Sequence, residues 1–279
     1  MTRITTVGVI TLVAAVSAAA IYKAKVRNDH QVDLAPSPIM MEQILNNKPN
    51  FAVIDSEADK KKAFFQYLTP DIVRENNAIL KDRENLLALM KKPEKMTEKN
   101  AFLIRLSNHY AWPMPAHDEK TSEPISQQWL TGLLDRVDVL PVPLVLSQAA
   151  IESGWGTSRF AVEGDNYFGL WCYSPGCGLA PLEEKDSKNY HEVARFNSLQ
   201  HAVDAYFLNM NTNPEYQPLR DKRAQLRAEG QPLTATALAP ELIHYSQIGQ
   251  RYIEEINTIL HQDGHFMLIP EVPKKEPTP

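Results

Sequence analysis

A glutamate at the end of an apolar segment is the residue whose surroundings best suit proton transfer. Glu152 lies near the end of the run 144–153, which follows two prolines and precedes a glycine. Prolines favour the first turn of a helix and glycine its end, so this pattern predicts a helix that ends near Glu152. The partial negative charge there, with desolvation by Ile151 and Trp155, would raise the carboxyl pKa. A carboxylic acid that stays protonated can donate to a glycosidic oxygen, although a solvent-facing turn would show the same spacing.

A short aromatic segment follows the glutamate and could hold a sugar. It consists of Asn166, Tyr167, Phe168, Gly169, Leu170 and Trp171. Aromatic faces stack on rings and an amide hydrogen-bonds to hydroxyl groups, so this composition suits a carbohydrate. A buried turn would use the same residue types, so the segment taken alone is a weak indication of binding.

The elements that position these residues are predicted to be mainly helical. Apolar residues recur at helical spacing, as in the continuous face of residues 199–210. Residues 154–197 hold six of the eleven glycines, so we expect a small irregular or β lobe there. The predicted helices span 61–67, 70–91 after the pair Thr69-Pro70, 97–110 with Thr97 as cap, 125–137, 144–153, a helix from the cap Asn197, 221–229, 234–245 with an interruption at Pro240, and 250–261.

Composition excludes several classes of protein. The chain has 279 residues, 43% apolar and 23% charged, which suits a packed globular protein. Its net charge is −5, whereas a general nucleic-acid-binding protein carries a basic excess, so we expect no nucleic-acid partner. Two cysteines are too few for a four-cysteine zinc site.

The N-terminus has the pattern of an export or anchoring segment. Residues 4–22 carry no charge, follow Arg3 and precede three basic residues. A cleaved signal peptide and an uncleaved inner-membrane anchor both fit this run, and we expect residues 1–25 to direct export to the periplasm in either form. Residues 26–59 are expected to form a linker.

The ordered motifs of the chain resemble the glycoside hydrolase family 73 glucosaminidases, which cut peptidoglycan glycan strands. The match begins with the segment 149–156, an apolar helix end with the sequence AAIESGWG, and continues with Asn-Tyr-Phe-Gly at 166–169. It is closer to the bacterial Bax branch, in which a short cysteine pair follows. Further segments are similar at positions 134–138, 205–216, 223–227 and 244–252, so that the similarity covers about residues 63–262.

The resemblance implies a mainly α, lysozyme-like fold with a cleft between an α-lobe and a small irregular or β lobe. We expect a helical extension at 60–124, a glucosaminidase-like catalytic domain at 125–263 and a disordered tail at 264–279. Glu152 matches the general acid and Tyr245 a tyrosine lining the cleft. The implied substrate-binding residues are Ser153, Trp155, Asn166, Tyr167, Phe168 and Gly169.

A second carboxylate is where the chain departs from the family pattern. Many members carry one in the lobe after the Phe-Gly step, and this chain offers Glu183, Glu184 and Glu192 there. Counting back from Phe196 favours Glu183. The alternative is a single-acid reaction in which the acetamido group of the substrate, or a positioned water, completes the chemistry.

Cys172 and Cys177 are expected to form a disulfide that shapes a small loop, if the chain is exported. The alternatives are a redox pair, which usually has two intervening residues where this chain has four, and half of a metal site that would need ligands such as His191.

These observations predict an exported peptidoglycan glycosidase that cuts the β-1,4 bond after N-acetylglucosamine. Its partner would be the glycan strand, its N-terminal segment would meet the inner membrane, and the chemistry needs no metal or organic cofactor. A lytic transglycosylase with one catalytic glutamate and a non-catalytic wall-binding module remain the alternatives.

Overall fold

Helices account for most of the chain in the computed structural model, which describes residues 48–92, 97, 99–115, 125–180 and 191–267. In chain order they are α1 (Glu57–Met90), α2 (Ala101–His109), α3 (Gln127–Arg136), α4 (Val142–Ser153), α5 (Arg159–Gly164), α6 (Leu199–Thr212), α7 (Gln217–Ala228), α8 (Ala235–Leu238) and α9 (Gln250–Gln262). Single 3-10 turns lie at Phe51–Val53, Pro214–Tyr216, Ala239–Leu242 and Gly264–Phe266. With one small sheet, this confirms the prediction of a mainly α fold and is consistent with a lysozyme-like arrangement.

Helix α4 is the central helix and contains the apolar run that ends near Glu152. A helix that is apolar around its whole circumference has to be enclosed, and α1, α8 and α9 pack against this one. Its fully buried residues include Leu144, Val145, Leu146, Ala149 and Ala150. The helix follows Pro141 and ends where Gly154 adopts a left-handed conformation with φ 54°, as the sequence predicts.

Helix α1 runs without interruption through Pro70, so the prediction of two helices separated at Thr69-Pro70 was wrong. A proline in a helix interior costs about 3 kcal/mol. Phe64, Phe65, Leu68 and Ile72 lie on both sides of this proline and are completely buried. Burying each such side chain contributes about 1.5–3 kcal/mol, so the packing of α1 outweighs the cost of the proline.

Several helix starts also differ from the sequence prediction. Asn100, not Thr97, caps α2, and its side chain accepts hydrogen bonds from the backbone N–H groups of residues 102 and 103. Ser198, not Asn197, caps α6 through the N–H of His201. Helix α7 begins at Gln217, earlier than the predicted 221, and the irregular lobe contains the unpredicted α5. The pattern of apolar residues predicts the middle of each helix. It does not predict which of the neighbouring polar residues caps the helix.

The small lobe contains an antiparallel sheet of three short strands. They are β1 (Trp171–Cys172), β2 (Gly178–Leu179) and β3 (Glu192–Ala194), in the order β1-β3-β2. Trp171 pairs with Val193 and so does Leu179 from the other side. This confirms the expected β character of the lobe. Strand β3 is the central strand and pairs with both β1 and β2.

Residues 48–53, here named the N-terminal strap, pack onto the turn after α4. Phe51 is 2% exposed, and a Cβ at Gly156, where φ is 78°, would overlap its ring. Lys48 donates to the carbonyls of Ala161 and Val162 and pairs with Asp165 at 2.6 Å. The strap lies in the range 26–59 expected as a linker; the domain boundaries themselves stay a prediction.

Among the described residues no helix is long and apolar enough to span a bilayer. The segment 4–22, predicted as a signal or anchor, lies outside those residues, as do residues 26–47 of the linker and most of the tail.

Candidate active site

The carboxyl group of Glu152 lies against the turn that begins the small lobe. Glu152 is in the last turn of α4, one residue before its end. Gly169 has φ 65°, and a Cβ there would come within 3.1 Å of Glu152 Oε2. Glycine is therefore favoured at this position by its left-handed backbone, and a side chain there would press on the carboxyl group. The structure thus brings together Glu152 and the Phe-Gly step that the sequence indicated separately.

A row of three hydrogen bonds leads from the core to Glu152. The Tyr206 hydroxyl donates to Gln148 Oε1 at 2.6 Å, and Gln148 Nε2 donates to the Tyr252 hydroxyl at 3.1 Å. Tyr252 in turn hydrogen-bonds to the Glu152 carboxyl. Gln148 and Tyr206 are completely buried, so their polar groups had to be satisfied internally. The row fixes one side of the Glu152 side chain.

The pKa of Glu152 is raised above its ordinary value of 4.5. Burial is the main cause, because a desolvated carboxylate loses its hydration. The hydrogen bond from Tyr252 acts in the opposite direction, and the negative charge of Glu255 adds a further increase. This arrangement favours the protonated acid and suits proton donation.

Tyr245 joins the same cluster through its ring and its hydroxyl group. The ring is stacked between those of Tyr216 and Tyr252, with centroid distances of 5.7 and 5.4 Å. Its hydroxyl donates to the Phe168 carbonyl at 3.0 Å. Tyr245 is partly exposed. It therefore holds the Phe-Gly step in place and still offers part of its surface beside the acid.

Asn166 organises the turn between α5 and β1. Its Nδ2 donates to the carbonyls of Leu170 and Ala194 at 2.8 and 2.9 Å, and its Oδ1 accepts from the N–H groups of Phe168 and Leu170. Asn166 is 1% exposed. All of its hydrogen-bonding capacity is used inside the turn, so its position is that of a support for Gly169 and not of a surface contact to substrate.

Ser153, Tyr167 and Phe168, also expected to bind substrate, are buried. The Ser153 hydroxyl donates to the Ala149 carbonyl and accepts from the Gly156 N–H at 2.8 Å. The Phe168 ring stacks on Tyr206 at 4.2 Å. These side chains are placed to brace the site from within.

Trp155 and Tyr167 contribute to an aromatic cluster with α1. The Trp155 ring contacts those of Phe64 and Phe65 at 5.6 and 5.3 Å, and the Tyr167 ring lies 6.2 Å from that of Phe64. Trp155 remains partly exposed and has φ 58°. The two residues therefore join the turn after Glu152 and the aromatic segment that follows it to α1.

Cys172 and Cys177 form the predicted disulfide. Glu192, one of the three candidates for a second carboxylate, is buried beside it and accepts hydrogen bonds from the N–H groups of Gly176 and Gly178. Its carboxylate shapes the disulfide loop. Glu183 and Glu184 lie outside the described residues.

The two cysteines and Glu192 are the candidate metal ligands in the part of the chain that the structure describes. Ligand atoms of Cys172, Cys177 and Glu192 lie within 4.8 Å of one another. Because the two sulfurs are bonded to each other, neither is available as a thiolate, and the donor set does not fit zinc.

Sequence reasoning missed the groups that directly surround Glu152. Tyr252 and Glu255 lie on α9, about a hundred positions away, and Gln148 lies one helical turn before Glu152. Gln148 gave a signal, since it is a polar residue on the same face of an apolar helix as the acid. The contact with Tyr252 depends on how α9 packs against α4, which spacing does not reveal.

Comparison with known proteins assigns the chain to a family. The glucosaminidase family, described as mannosyl-glycoprotein endo-beta-N-acetylglucosaminidase, matches residues 128–263. The chain belongs to the Bax-like glucosaminidase-domain proteins, and a glucosaminidase domain indicates a function related to glycan hydrolysis. The chain is 34% identical over 204 residues to Protein bax of Escherichia coli (strain K12). The aligned region covers 73% of this chain and 70% of that protein. No solved structure matches the chain. The resemblance identified from the motifs is thus confirmed.

Proposed function

We propose that the chain hydrolyses peptidoglycan glycan strands at the β-1,4 bond after N-acetylglucosamine, with Glu152 as the general acid. The observation that supports this most directly is the desolvated Glu152 carboxyl, which lies against Gly169 in a chain of the glucosaminidase family. A carboxyl group with a raised pKa, beside a Phe-Gly step and a stacked tyrosine, has the components expected of a glycosidase.

In the proposed reaction the bond between C1 and the leaving oxygen breaks as Glu152 transfers its proton to that oxygen. Water supplies the hydroxyl group at C1, and its proton restores the acid. Tyr245, which is partly exposed beside Tyr252, would contact the reacting sugar or the water. Glu183 stays the proposed second carboxylate, and the acetamido group of the substrate is the alternative for that step.

The test is digestion of purified peptidoglycan, followed by borohydride reduction and mass spectrometry of the released glycans. Wild type should release glycans with a reduced N-acetylglucosamine end. Glu152→Gln should lower the rate by about a hundredfold or more, as expected when a general acid is lost. Glu254→Gln, an exposed residue on α9, is the matched control and should retain the wild-type rate.

The products separate this proposal from its alternatives. An anhydro-muramic end would assign the chain to the lytic transglycosylases. The carboxylate of Glu192 accepts hydrogen bonds from the N–H groups of Gly176 and Gly178. A reaction that uses Glu152 as its one catalytic carboxyl group, as in a lytic transglycosylase, therefore stays open. Equal release by wild type and Glu152→Gln would rule out Glu152 as the acid. Glycan binding without release by either protein would assign the chain to wall-binding modules.

We also propose that the chain is exported and acts in the periplasm, with residues 4–22 at the inner membrane. The uncharged run at the N-terminus and the Cys172–Cys177 disulfide support this, since disulfides persist in oxidising compartments. Alkylation of intact cells without reductant should leave both cysteines unmodified. Fractionation should place the chain in the membrane if the segment is retained and in the soluble periplasm if it is cleaved. Free thiols in the cytoplasmic fraction would contradict the proposal.

A further inference from the structure

The small lobe presents two aromatic side chains to solvent. Trp171 is 52% exposed and Tyr173 is 77% exposed, whereas most other aromatic residues of the described chain lie inside it. Two large exposed rings lie two positions apart in the chain, and clustered exposed apolar side chains are a feature of binding sites. Trp171, Tyr173 and the neighbouring His191 are here named the aromatic platform.

The platform is held rigidly by the sheet and the disulfide. Trp171 pairs with Val193 in β1, and its ring lies 3.9 Å from that of His191, between centroids. The next residue, Cys172, is fixed by its bond to Cys177. One region of the Trp171 surface is thus supported by His191 while about half of the residue stays open, which limits the entropy lost when a ligand stacks on it.

The platform follows the candidate active site directly along the chain. Gly169 is the residue against which the Glu152 carboxyl lies, and Trp171 comes two positions later. Two extended residues span at most about 7 Å, so the backbone of Trp171 lies within about that distance of Gly169. A glycan strand with its scissile bond at Glu152 would continue over this part of the small lobe.

The chemistry of the platform fits a sugar ring. The face of an indole ring carries partial negative charge, and the axial C–H groups of a pyranose carry partial positive charge and form a flat apolar surface. A phenol adds a hydroxyl group that can bond to the hydroxyl or acetamido groups of the next sugar. Tyr173 lies one residue past the end of β1, two positions from Trp171, so the two exposed rings are close neighbours along the chain.

We propose that Trp171 and Tyr173 form a stacking subsite for an N-acetylated amino sugar of the glycan strand, next to the sugar whose bond is cut. This inference rests on the proposed function, because it takes the glycan strand as the ligand. The subsite contributes affinity for longer strands and takes no part in proton transfer.

The test measures binding in a Glu152→Gln background, where the ligand is not consumed. The probes are a β-1,4-linked hexamer of N-acetylglucosamine and purified glycan strands. Trp171→Ala should raise the Kd for both by about tenfold, the effect of losing one well-formed stacking contact. Trp171→Phe should restore most of the affinity, and Ile104→Ala, an exposed apolar residue on α2, should leave it unchanged.

Folding is checked by the free energy of unfolding and by a thiol count, which should stay at zero in all variants. Equal affinity of Trp171→Ala and its parent would overturn the subsite. Weaker binding by Trp171→Ala in a chain whose wild type releases no glycan would support the subsite and overturn the proposed hydrolysis. Failure of the parent to bind either probe would overturn both.

Discussion

At the scale of single residues, neighbouring groups act on the pKa of Glu152 in opposite directions. Burial and the charge of Glu255 raise it, and the hydrogen bond from Tyr252 lowers it. The two neighbours lie on the same helix, three positions apart. Substituting each of them therefore separates the two electrostatic contributions without changing the burial that dominates the pKa.

The pH dependence of kcat should move in opposite directions in two variants. Glu255→Gln removes a repulsion that disfavours ionisation, so the pKa of Glu152 falls and the alkaline limb moves to lower pH. Tyr252→Phe removes a donor that stabilises the carboxylate, so the limb moves to higher pH. Profiles of kcat against pH measure both, with Glu254→Gln as the unshifted control. Shifts of the same sign in both variants would contradict this account.

The same carboxyl should reduce stability at neutral pH. Because its folded pKa lies above the ordinary 4.5, its contribution to stability is fully present below that pH and is lost as pH rises through the folded pKa. The neutral side chain of Glu152→Gln avoids this loss. Urea unfolding should show the stability of the variant relative to wild type increasing from about pH 4 to about pH 8. A constant difference would show that the pKa is not raised.

Gly169 and Gly176 form a natural pair for testing the contact at the acid. Both have positive φ, 65° and 79°, but a Cβ at Gly176 meets nothing within 4 Å. Alanine at either position costs about 1–2 kcal/mol of backbone strain. Gly169→Ala should in addition lower kcat/KM by about a hundredfold, because it displaces the Glu152 carboxyl. Glycan release by the two folded variants measures this, and equal activity would mean that the carboxyl adapts to the added methyl group.

At the scale of elements, the N-terminal strap supports the turn that follows the acid. Phe51 fills the space above Gly156, and its ring contacts those of Phe64 and Tyr67 at 5.5 and 5.9 Å. The strap therefore joins α1 to the end of α4. Phe51 is far from Glu152 in sequence but packs against the turn that ends α4, the helix that carries Glu152.

Removing the Phe51 ring should destabilise the chain and disturb the site. Phe51→Ala is expected to lower the free energy of unfolding by about 3–5 kcal/mol, the usual cost of emptying a buried phenylalanine site. Val53→Ala, at a residue 70% exposed in the same strap, should change it by less than about 0.5 kcal/mol. Urea unfolding gives both values. A loss below about 1 kcal/mol for Phe51→Ala would mean that the strap does not hold the turn.

The sequence predicted α4 and its end because prolines, an uninterrupted apolar run and a glycine all indicate the same helix. It failed at Pro70, where local propensity favours a break and tertiary packing prevails. It predicted a site at Glu152 and at the Phe-Gly step, and the structure brings these two together; it assigned Asn166 and Ser153 to substrate binding, and the structure buries both. A buried amide that organises a turn and an amide that binds a sugar have the same sequence, and burial distinguishes them.

At the scale of the whole molecule, a buried ion cluster joins the helical extension to the family domain. Asp138 is 2% exposed and lies 2.7 Å from Arg227 and 3.5 Å from Arg83, measured between side-chain N and O atoms. Burial acts to raise its pKa, but the charge of Arg223 and the hydrogen bond from Arg227 hold it below its ordinary value. Arg83 belongs to α1, outside the range 128–263 that matches the family.

Asp138→Asn should therefore lower stability strongly. Removing one member of a buried ion cluster costs about 3–5 kcal/mol, because the remaining charges stay buried. Arg251→Gln, in an exposed pair with Glu255, should cost less than about 1 kcal/mol. Because the folded pKa of Asp138 is lowered, the stability it supplies is present above pH 3.8 and is lost as pH falls through the folded pKa. Urea unfolding at neutral pH tests the difference, and similar losses in the two variants would contradict it.

The row of hydrogen bonds that ends at Glu152 cannot relay protons from the core to the carboxyl group. Its middle member is the amide of Gln148, which accepts from Tyr206 and donates to Tyr252. Unlike a hydroxyl group or a water molecule, an amide nitrogen does not release its proton and take up another, so no charge can be conducted from the core through this residue. A proton lost by Glu152 has to be replaced from the solvent side of the carboxyl. The interior orients the carboxyl group, and the solvent supplies the proton that restores it.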